Sequence, residues 1–321
     1  MAAATRRGKG VRPVWWDDAV PSDVPDPRHP VLHTPRRRFG RREVDLGARV
    51  AVMAIVNRTR DSFFDRGRTF SLDAATEACL RAAEQGADLV DIGGVPFSPD
   101  AEPVGPAEEL DRVLPLVEAV TARSDVGVSV DTTRAEVAEA VVAAGAAVIN
   151  DTSGLHDPRM AEVAAASGAQ LVLTHSLAEP GRHLSRPPRY DDVVAEVLAH
   201  LEQRVTTAVA AGVGLDQLVV DPGPDLNKNT RHTLALVAGF ARFTTLGLPT
   251  LVAVSNKDFI GETLDREKPG RLPGTLAATV ACVLAGGRVV RAHDVVATVD
   301  AVRMVEAVLG LREPAFLRHN V

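Results

Sequence analysis

Apolar runs of strand length recur along the chain at 50–56, 87–92, 126–130, 146–149, 170–173, 217–220, 250–254 and 288–292. The segments between them carry apolar residues at three- and four-residue spacing. That period predicts helices over 72–85, 106–123, 133–144, 158–167, 190–212, 230–242, 273–285 and 297–308. Pro106 suits the first turn of its helix, and Gly145 stands where a C-terminal stop is expected. Thr133-Arg-Ala-Glu136 has the form of a capping box.

Eight strands alternating with eight helices predict a parallel α/β fold, and the natural closed arrangement for that count is a single (β/α)8 TIM barrel. A doubly wound open sheet is the alternative. No G-x-G-x-x-G follows the first strand, which weakens a nucleotide-binding version of it. Residues 1–42 show no periodicity and are rich in Pro and Arg, so a flexible extension is expected there, with the barrel over 43–321. Trp15 and Trp16 are unusual in such an extension and could pin it to the body or to another subunit.

Composition adds bounds. The chain is 45% apolar with 4% aromatics, enough for one large core. No run of eighteen apolar residues predicts a membrane span, and the N-terminus lacks the apolar stretch of a secretory signal. A cytoplasmic protein is therefore expected. Cys79 and Cys282 fall inside predicted helices and read as small buried residues or surface thiols, compatible with a reducing compartment. The net charge of −6 is uneven: residues 1–43 hold ten Lys/Arg against five Asp/Glu, a balance of +5, which leaves −11 on the remainder. The basic run Pro35–Arg42 reads as a solvated tail, and the acidic body argues against a nucleic-acid partner.

In a barrel of this kind chemistry collects at the C-terminal ends of the strands. Those ends are polar: Asn57; Asp91 before Gly93-Gly94; Asp131; Asn150-Asp151; His175; Asp221; Ser255 with Lys257; Arg291 with His293. Strands do stop where polar residues begin, which accounts for part of the pattern. Arg291/His293 and Ser255/Lys257 are each two residues apart, however, so each pair faces one side, which in a barrel can be its mouth. Lys257, Arg291 and His293 converging with Asp131 and Asp221 would suit a polar heterocycle joined to an anion. For His175 alone a structural role is nearly as good a reading. No Cys/His metal pattern is present; Asn57, with the nearby Asp61, could meet a Mg²⁺ held mainly by substrate phosphate.

The motifs IVNRTRDSFFDRG (55–67), GADLVDIGG (86–94), SVDTTRAEVA (129–138), INDTSG (149–154), DPG (221–223), SNKDFIGETL (255–264) and RAHDV (291–295) occur in the order seen in dihydropteroate synthases. The resemblance runs from about residue 50 to 310. It implies a transferase that joins p-aminobenzoate, or a similar amine, to 6-hydroxymethyl-7,8-dihydropterin diphosphate with release of pyrophosphate, in folate biosynthesis. It implies substrate binding by Asp131, Asn150, Asp221, Lys257, Arg291 and His293. Asp131, Lys257 and Asn57 would be catalytic, with Asn57 at a Mg²⁺ ion, in a homodimer without nucleic-acid or membrane partners.

The chain departs from the family pattern in its loops. Gly-Gly-Glu-Ser-Thr-Arg-Pro is replaced by a stretch containing Val95, Pro96, Phe97, Ser98 and Pro99. Thr-Pro-Asp-Ser-Phe becomes Thr59-Arg60-Asp61-Ser62-Phe63, Gly-Phe-Gly-Lys becomes Asp225-Leu226-Asn227-Lys228, and Ser-Arg-Lys becomes Ser255-Asn256-Lys257. These changes resemble an actinobacterial branch of synthase-like paralogues. The alternatives they raise are a catalytically inactive pterin-binding protein and a transferase using another acceptor. Arg58 and Arg60 could supply replacement cations, though exposed loop arginines are the plainer reading.

Overall fold

The computed structural model describes residues 26, 28–58, 71–96, 102–177 and 188–319. Trp15, Trp16, Arg60, Asp61, Phe97 and Ser98 lie outside the described residues. Within them, eight parallel strands form one sheet: β3 (Ala51–Asn57), β4 (Leu89–Gly93), β5 (Gly127–Asp131), β6 (Val148–Asp151), β7 (Gln170–Thr174), β8 (Leu218–Asp221), β9 (Leu251–Val252) and β10 (Val289–Ala292). Their spatial order is β8-β7-β6-β5-β4-β3-β10-β9. A parallel bridge between Val220 and Thr250, with Val220 N donating to Pro249 O at 3.0 Å, joins the two edges and closes the barrel. The expected (β/α)8 TIM barrel is thus the fold.

The surrounding helices are α1 (Leu72–Glu84), α2 (Pro106–Arg123), α3 (Ala135–Ala143), α4 (Arg159–Ser167), α5 (Val193–Ala210), α6 (Thr230–Ala238), α7 (Asp258–Leu264), α8 (Leu272–Leu284) and α9 (Val295–Val308). The seven-residue α7 is an addition that the periodicity did not signal. The capping box at Thr133 is not formed: α3 begins one residue later with Arg134 as its N-cap, whose own side chain makes no capping bond. The Arg134 side chain instead ion-pairs with the buried Glu109 and donates to Val104 O at 2.7 Å, while Asp157 Oδ2 accepts from Ala135 N at 3.3 Å. Cys79 and Cys282 are buried and unpaired in disulfide terms, as expected of small core residues.

The boundary expected at residue 42 falls inside a β-hairpin. β1 (Arg36–Phe39) pairs antiparallel with β2 (Arg42–Asp45). The basic run that reads as a tail alternates: Arg36 and Arg38 are exposed, Arg37 and Phe39 buried. Phe39, Val44 and Leu46 pack against Ala51, Met53, Leu89, Val148, Val172, Val219, Leu251 and Val289, so the hairpin plugs the N-terminal end of the barrel. Gly127 makes room for this plug, since a Cβ there would stand 2.9 Å from the Phe39 Cβ.

The same interior layer positions the site. Strand side chains alternate, so the residue two positions beyond each interior apolar residue also points inward, one layer nearer the C-terminal end. Leu89 leads to Asp91, Val148 to Asn150, Val172 to Thr174, Val219 to Asp221 and Val289 to Arg291. The apolar layer below excludes water from the polar layer above it.

Candidate active site at the C-terminal end of the barrel

Arg291 is the centre of this polar layer. Its Nε donates to Asp91 Oδ2 at 2.6 Å and its Nη2 to Asp131 Oδ2 at 3.3 Å. Burial works against the guanidinium charge, yet Asp91, Asp131 and Asp221 together hold its pKa above the ordinary value. Asp91, fully buried, also accepts from Ser129 Oγ at 2.6 Å and from Asn150 Nδ2 at 3.1 Å. Thr152 Oγ1 donates to Asp131 Oδ1 at 3.2 Å. Asn150 Oδ1 and Thr174 Oγ1 are shut from solvent with no hydrogen-bond partner among the described residues.

Asp221 ends β8 on the same side of the barrel. Burial raises its pKa, against a backbone N–H from Gly223 and the charges of Lys257, Lys228 and Arg291. The Gly223 N–H reaches Asp221 Oδ1 at 2.8 Å. Gly223 has φ +63°, and a Cβ on it would fall 2.3 Å from His175 O, so only glycine permits this turn. Lys257 approaches from the N-cap of α7 and donates to Pro224 O at 2.7 Å, in the loop that follows Asp221. The expected cup of Asp221, Asn150 and Lys257 therefore lies at one end of the molecule. Asn57 lies at the end of β3, with its Oδ1 2.7 Å from where a Cβ on Gly93 would stand. The His293 backbone N–H donates to Ser255 Oγ at 3.2 Å, which joins the two residue pairs noted in the sequence.

Two residues outside the sequence-derived site belong to this end of the barrel. Asp91 appears in the sequence only as one polar strand end among eight; its interior position two residues after Leu89 was the available signal. Lys228, seven residues after Asp221, is buried, and its Nζ reaches His175 Nδ1 at 2.8 Å, Gly223 O at 2.9 Å and Leu226 O at 2.8 Å. Three acceptors around one amine fasten the Asp221 loop to the end of β7. Burial lowers the Lys228 pKa to about 7, with Asp221 pulling it back up. His175 thus makes a structural contact with Lys228 beneath the mouth.

His175 and His200, 4.7 Å apart between ring centroids, are both held neutral. Burial, then the Lys228 charge, pushes His175 far below the ordinary imidazole value. Burial, then Arg204, lowers His200 to about 4. An unfolded chain takes up protons near pH 6.5 that the fold refuses. Stability from this source is intact above that pH and is lost as pH falls below it. The urea midpoint is expected to drop between pH 7.5 and 5.0, and His175→Gln, which keeps an acceptor for Lys228, should shrink that drop. An unchanged drop in the variant would refute the assignment.

The rewritten loop after Asp221 is held by its own substituents. Asp225 (φ +60°) and Asn227 (φ +54°) stand in the left-handed region, at positions where the family pattern has glycine. Asp and Asn tolerate that region better than other side chains. Asp225 Oδ1 accepts from Thr233 Oγ1 at 2.9 Å and its Oδ2 from Phe259 N at 3.1 Å. Asn227 Oδ1 accepts from Ser176 Oγ at 3.0 Å and Leu177 N at 2.8 Å. Arg58 Nη1 donates to Arg112 O at 2.7 Å and Asp111 O at 3.3 Å, which ties the end of β3 to α2. Pro115 lacks the N–H that would bond the carbonyl of residue 111, and Arg58 serves that carbonyl instead.

Comparison with known proteins decides the family. A model of the family described as pterin binding enzyme matches residues 53–293. The chain belongs to this family, with the dihydropteroate synthases. It is 45% identical over 275 residues to "Inactive dihydropteroate synthase 2" of Mycobacterium tuberculosis (strain ATCC 25618 / H37Rv), covering 84% of this chain and 86% of the relative. It is 39% identical over 262 residues to the dihydropteroate synthase of Escherichia coli (strain K12), covering 82% and 93%. Among solved structures, the Xanthomonas albilineans dihydropteroate synthase with 4-aminobenzoic acid superposes with a TM-score of 0.79 at 40% identity, over 86% of this chain and 98% of that one. This dihydropteroate synthase relative thus shares a pterin-binding fold with enzymes of that name and with a paralogue described as inactive. No helix among its described residues is long and apolar enough to cross a membrane.

Proposed function

We propose that this protein binds 6-hydroxymethyl-7,8-dihydropterin diphosphate in the barrel mouth and transfers its methylene group to an arylamine, more slowly than an unaltered synthase. The observation that carries the reading is the layer of acceptors and cations joining Asp221, Asn150, Asp91, Asp131 and Arg291. In this reading Asp221 accepts two hydrogen bonds from the amino-pyrimidine edge of the pterin. Asn150 meets the adjoining edge, and Lys257 donates to a ring acceptor. The C–O bond to the diphosphate breaks and its electron pair leaves with pyrophosphate. Asp131 favours the positive charge that develops on the methylene. The arylamine nitrogen forms the new C–N bond and loses its proton to solvent. Arg291 and His293 face the leaving group, although in this structure Arg291 is already engaged by two carboxylates.

Among the described residues no three His, Cys, Asp or Glu side chains converge as a metal site. A Mg²⁺ carried by substrate phosphates needs only one or two protein oxygens, and the Asn57 amide beside Gly93 fits that need. The ion would neutralise charge on the departing diphosphate. A cytoplasmic homodimer completes the proposal. The exposed Val296, Met304 and Val308 of α9 offer an apolar face for a second copy.

The slower rate follows from the acceptor side. Each charge-assisted hydrogen bond lost with the family's loop Thr and Arg removes roughly 1.5–3 kcal/mol. Two such losses amount to about 10²–10⁴ in rate. A second reading, ligand binding without turnover, is favoured by the similarity to a paralogue described as inactive. The two separate in one assay with pterin diphosphate, Mg²⁺ and p-aminobenzoate, following pyrophosphate and dihydropteroate. Slow formation of both supports the transferase. Binding by calorimetry with no product supports the second reading. Pyrophosphate release only with a different amine points to another acceptor, and no binding of any pteridine overturns the proposal.

A further inference from the structure

We infer that Asp91 is a positioning residue that fixes the direction of the Asn150 amide, and so makes the site select a 2-amino pteridine over its 2-oxo counterpart. The inference rests on the pterin-binding reading and deepens it. Asp91 is fully buried in β4, and both its oxygens are engaged. Oδ1 accepts from Ser129 Oγ at 2.6 Å; Oδ2 accepts from Arg291 Nε at 2.6 Å and Asn150 Nδ2 at 3.1 Å.

A carboxylate paired with arginine can only accept hydrogen bonds. Asn150 must therefore turn its NH₂ toward Asp91. The flipped amide would set its oxygen against a carboxylate oxygen. The two ends of an amide are otherwise nearly interchangeable in shape, and here the hydrogen-bond network decides between them. The consequence appears on the other side of the amide. Asn150 Oδ1 is closed to solvent and has no donor among the described residues. A buried acceptor without a donor is costly to leave so, and the partner it lacks is an N–H.

In the proposed pose Asp221 takes one hydrogen of the exocyclic 2-amino group together with the ring N–H. The second amino hydrogen is the donor that Asn150 Oδ1 lacks. A 2-oxo group would place oxygen against oxygen at the same point. Asp91 touches no ligand in this account and acts only through Asn150.

The test compares 6-hydroxymethylpterin with 6-hydroxymethyl-lumazine, its 2-oxo analogue, by calorimetry on the wild-type protein and on Asp91→Asn. An asparagine at 91 offers either a donor or an acceptor, which frees Asn150 to turn over. Affinity for the 2-amino ligand is expected to fall and affinity for the 2-oxo ligand to rise, narrowing their ratio by about tenfold or more. A general lesion of the barrel would weaken both ligands together. Parallel loss, or an unchanged ratio, overturns the role of Asp91 while leaving the pterin reading intact. Failure of the wild-type protein to bind either ligand overturns both. Should Asp91→Asn not fold, the wild-type protein still decides the matter by NMR. The Asn150 side-chain NH₂ pair, identified by its absence in Asn150→Ser, is expected to be protected from solvent exchange. Rapid exchange of that pair would contradict a fixed bond to Asp91.

Discussion

Asp221→Asn is expected to weaken pterin binding about 10²–10⁴-fold while leaving the ligand-free protein at least as resistant to urea as the wild type at pH 7.5. The affinity estimate takes two charge-assisted hydrogen bonds from one carboxylate to adjacent N–H donors, at roughly 1.5–3 kcal/mol each. The stability half comes from the opposite sign of the same charge. Burial raises the Asp221 pKa above the ordinary carboxylate value, even with Lys257, Lys228 and Arg291 nearby. A carboxyl whose folded pKa is raised contributes most when protonated, and that contribution is lost as pH rises through the folded value. Wherever Asp221 carries its charge, that charge is therefore a burden on the fold. Asparagine keeps the oxygen that accepts from Gly223 N and removes the buried charge. Calorimetry and urea melts read the two effects separately. A variant that loses affinity and stability together would make Asp221 a structural residue and remove the main support for the pterin pocket.

That opposition between stability and binding explains which parts of the protein can be seen in its sequence. Strand positions such as Val289 and Val290 declare themselves because burial on both faces demands apolar residues. Breaks such as Gly286-Gly287 mark where a strand begins. The mouth declares itself for the complementary reason: Asp91, Asn150, Asp221 and Arg291 occupy interior positions where an apolar side chain would serve folding better. What the sequence does not reveal is pairing. Nothing in the spacing says that Arg291 meets Asp91 across 200 residues of chain, or that Lys228 meets His175. The hairpin was equally hidden, because five arginines in Pro35–Arg42 mask the alternation that buries Arg37 and Phe39. Helix α3 shows the reverse error. Thr133 and Glu136 satisfy the pattern of a capping box, but Arg134 leaves the helix start to pair with Glu109. Tertiary ion pairing overrode a local signal worth about 1 kcal/mol.

The rewritten Asp221 loop carries the same lesson toward function. Replacing flexible glycines by Asp225 and Asn227 restricts the backbone, and their side chains then tie the loop to α6, α7 and the residues after β7. In the Asp221 loop, positions that are glycine in the family pattern thus carry side chains that hold the loop to its own scaffold. Loops tolerate such exchange because few core contacts depend on them.

Interior positions do not tolerate it, and Arg291 gives the measure. Arg291→Met is expected to destabilise the protein by about 3–5 kcal/mol, because it removes one partner of a buried ion pair and leaves the other charge behind. Asp91 has no exposed surface and loses its shortest bond to nitrogen; Asp131, 11% exposed, loses a second. Methionine fills much of the volume, so the loss should reflect charge rather than a cavity. The pairing can be isolated with a cycle. Asp91→Asn alone leaves Arg291 with Asp131, and adding Asp91→Asn to Arg291→Met removes the stranded carboxylate. The double variant is therefore expected to be more stable than Arg291→Met alone, by on the order of 1–3 kcal/mol in urea melts. Strict additivity would mean that the two side chains do not act as a pair. The sign of the coupling, rather than the size of either single loss, decides whether the Arg291–Asp91 bond organises the floor of the site.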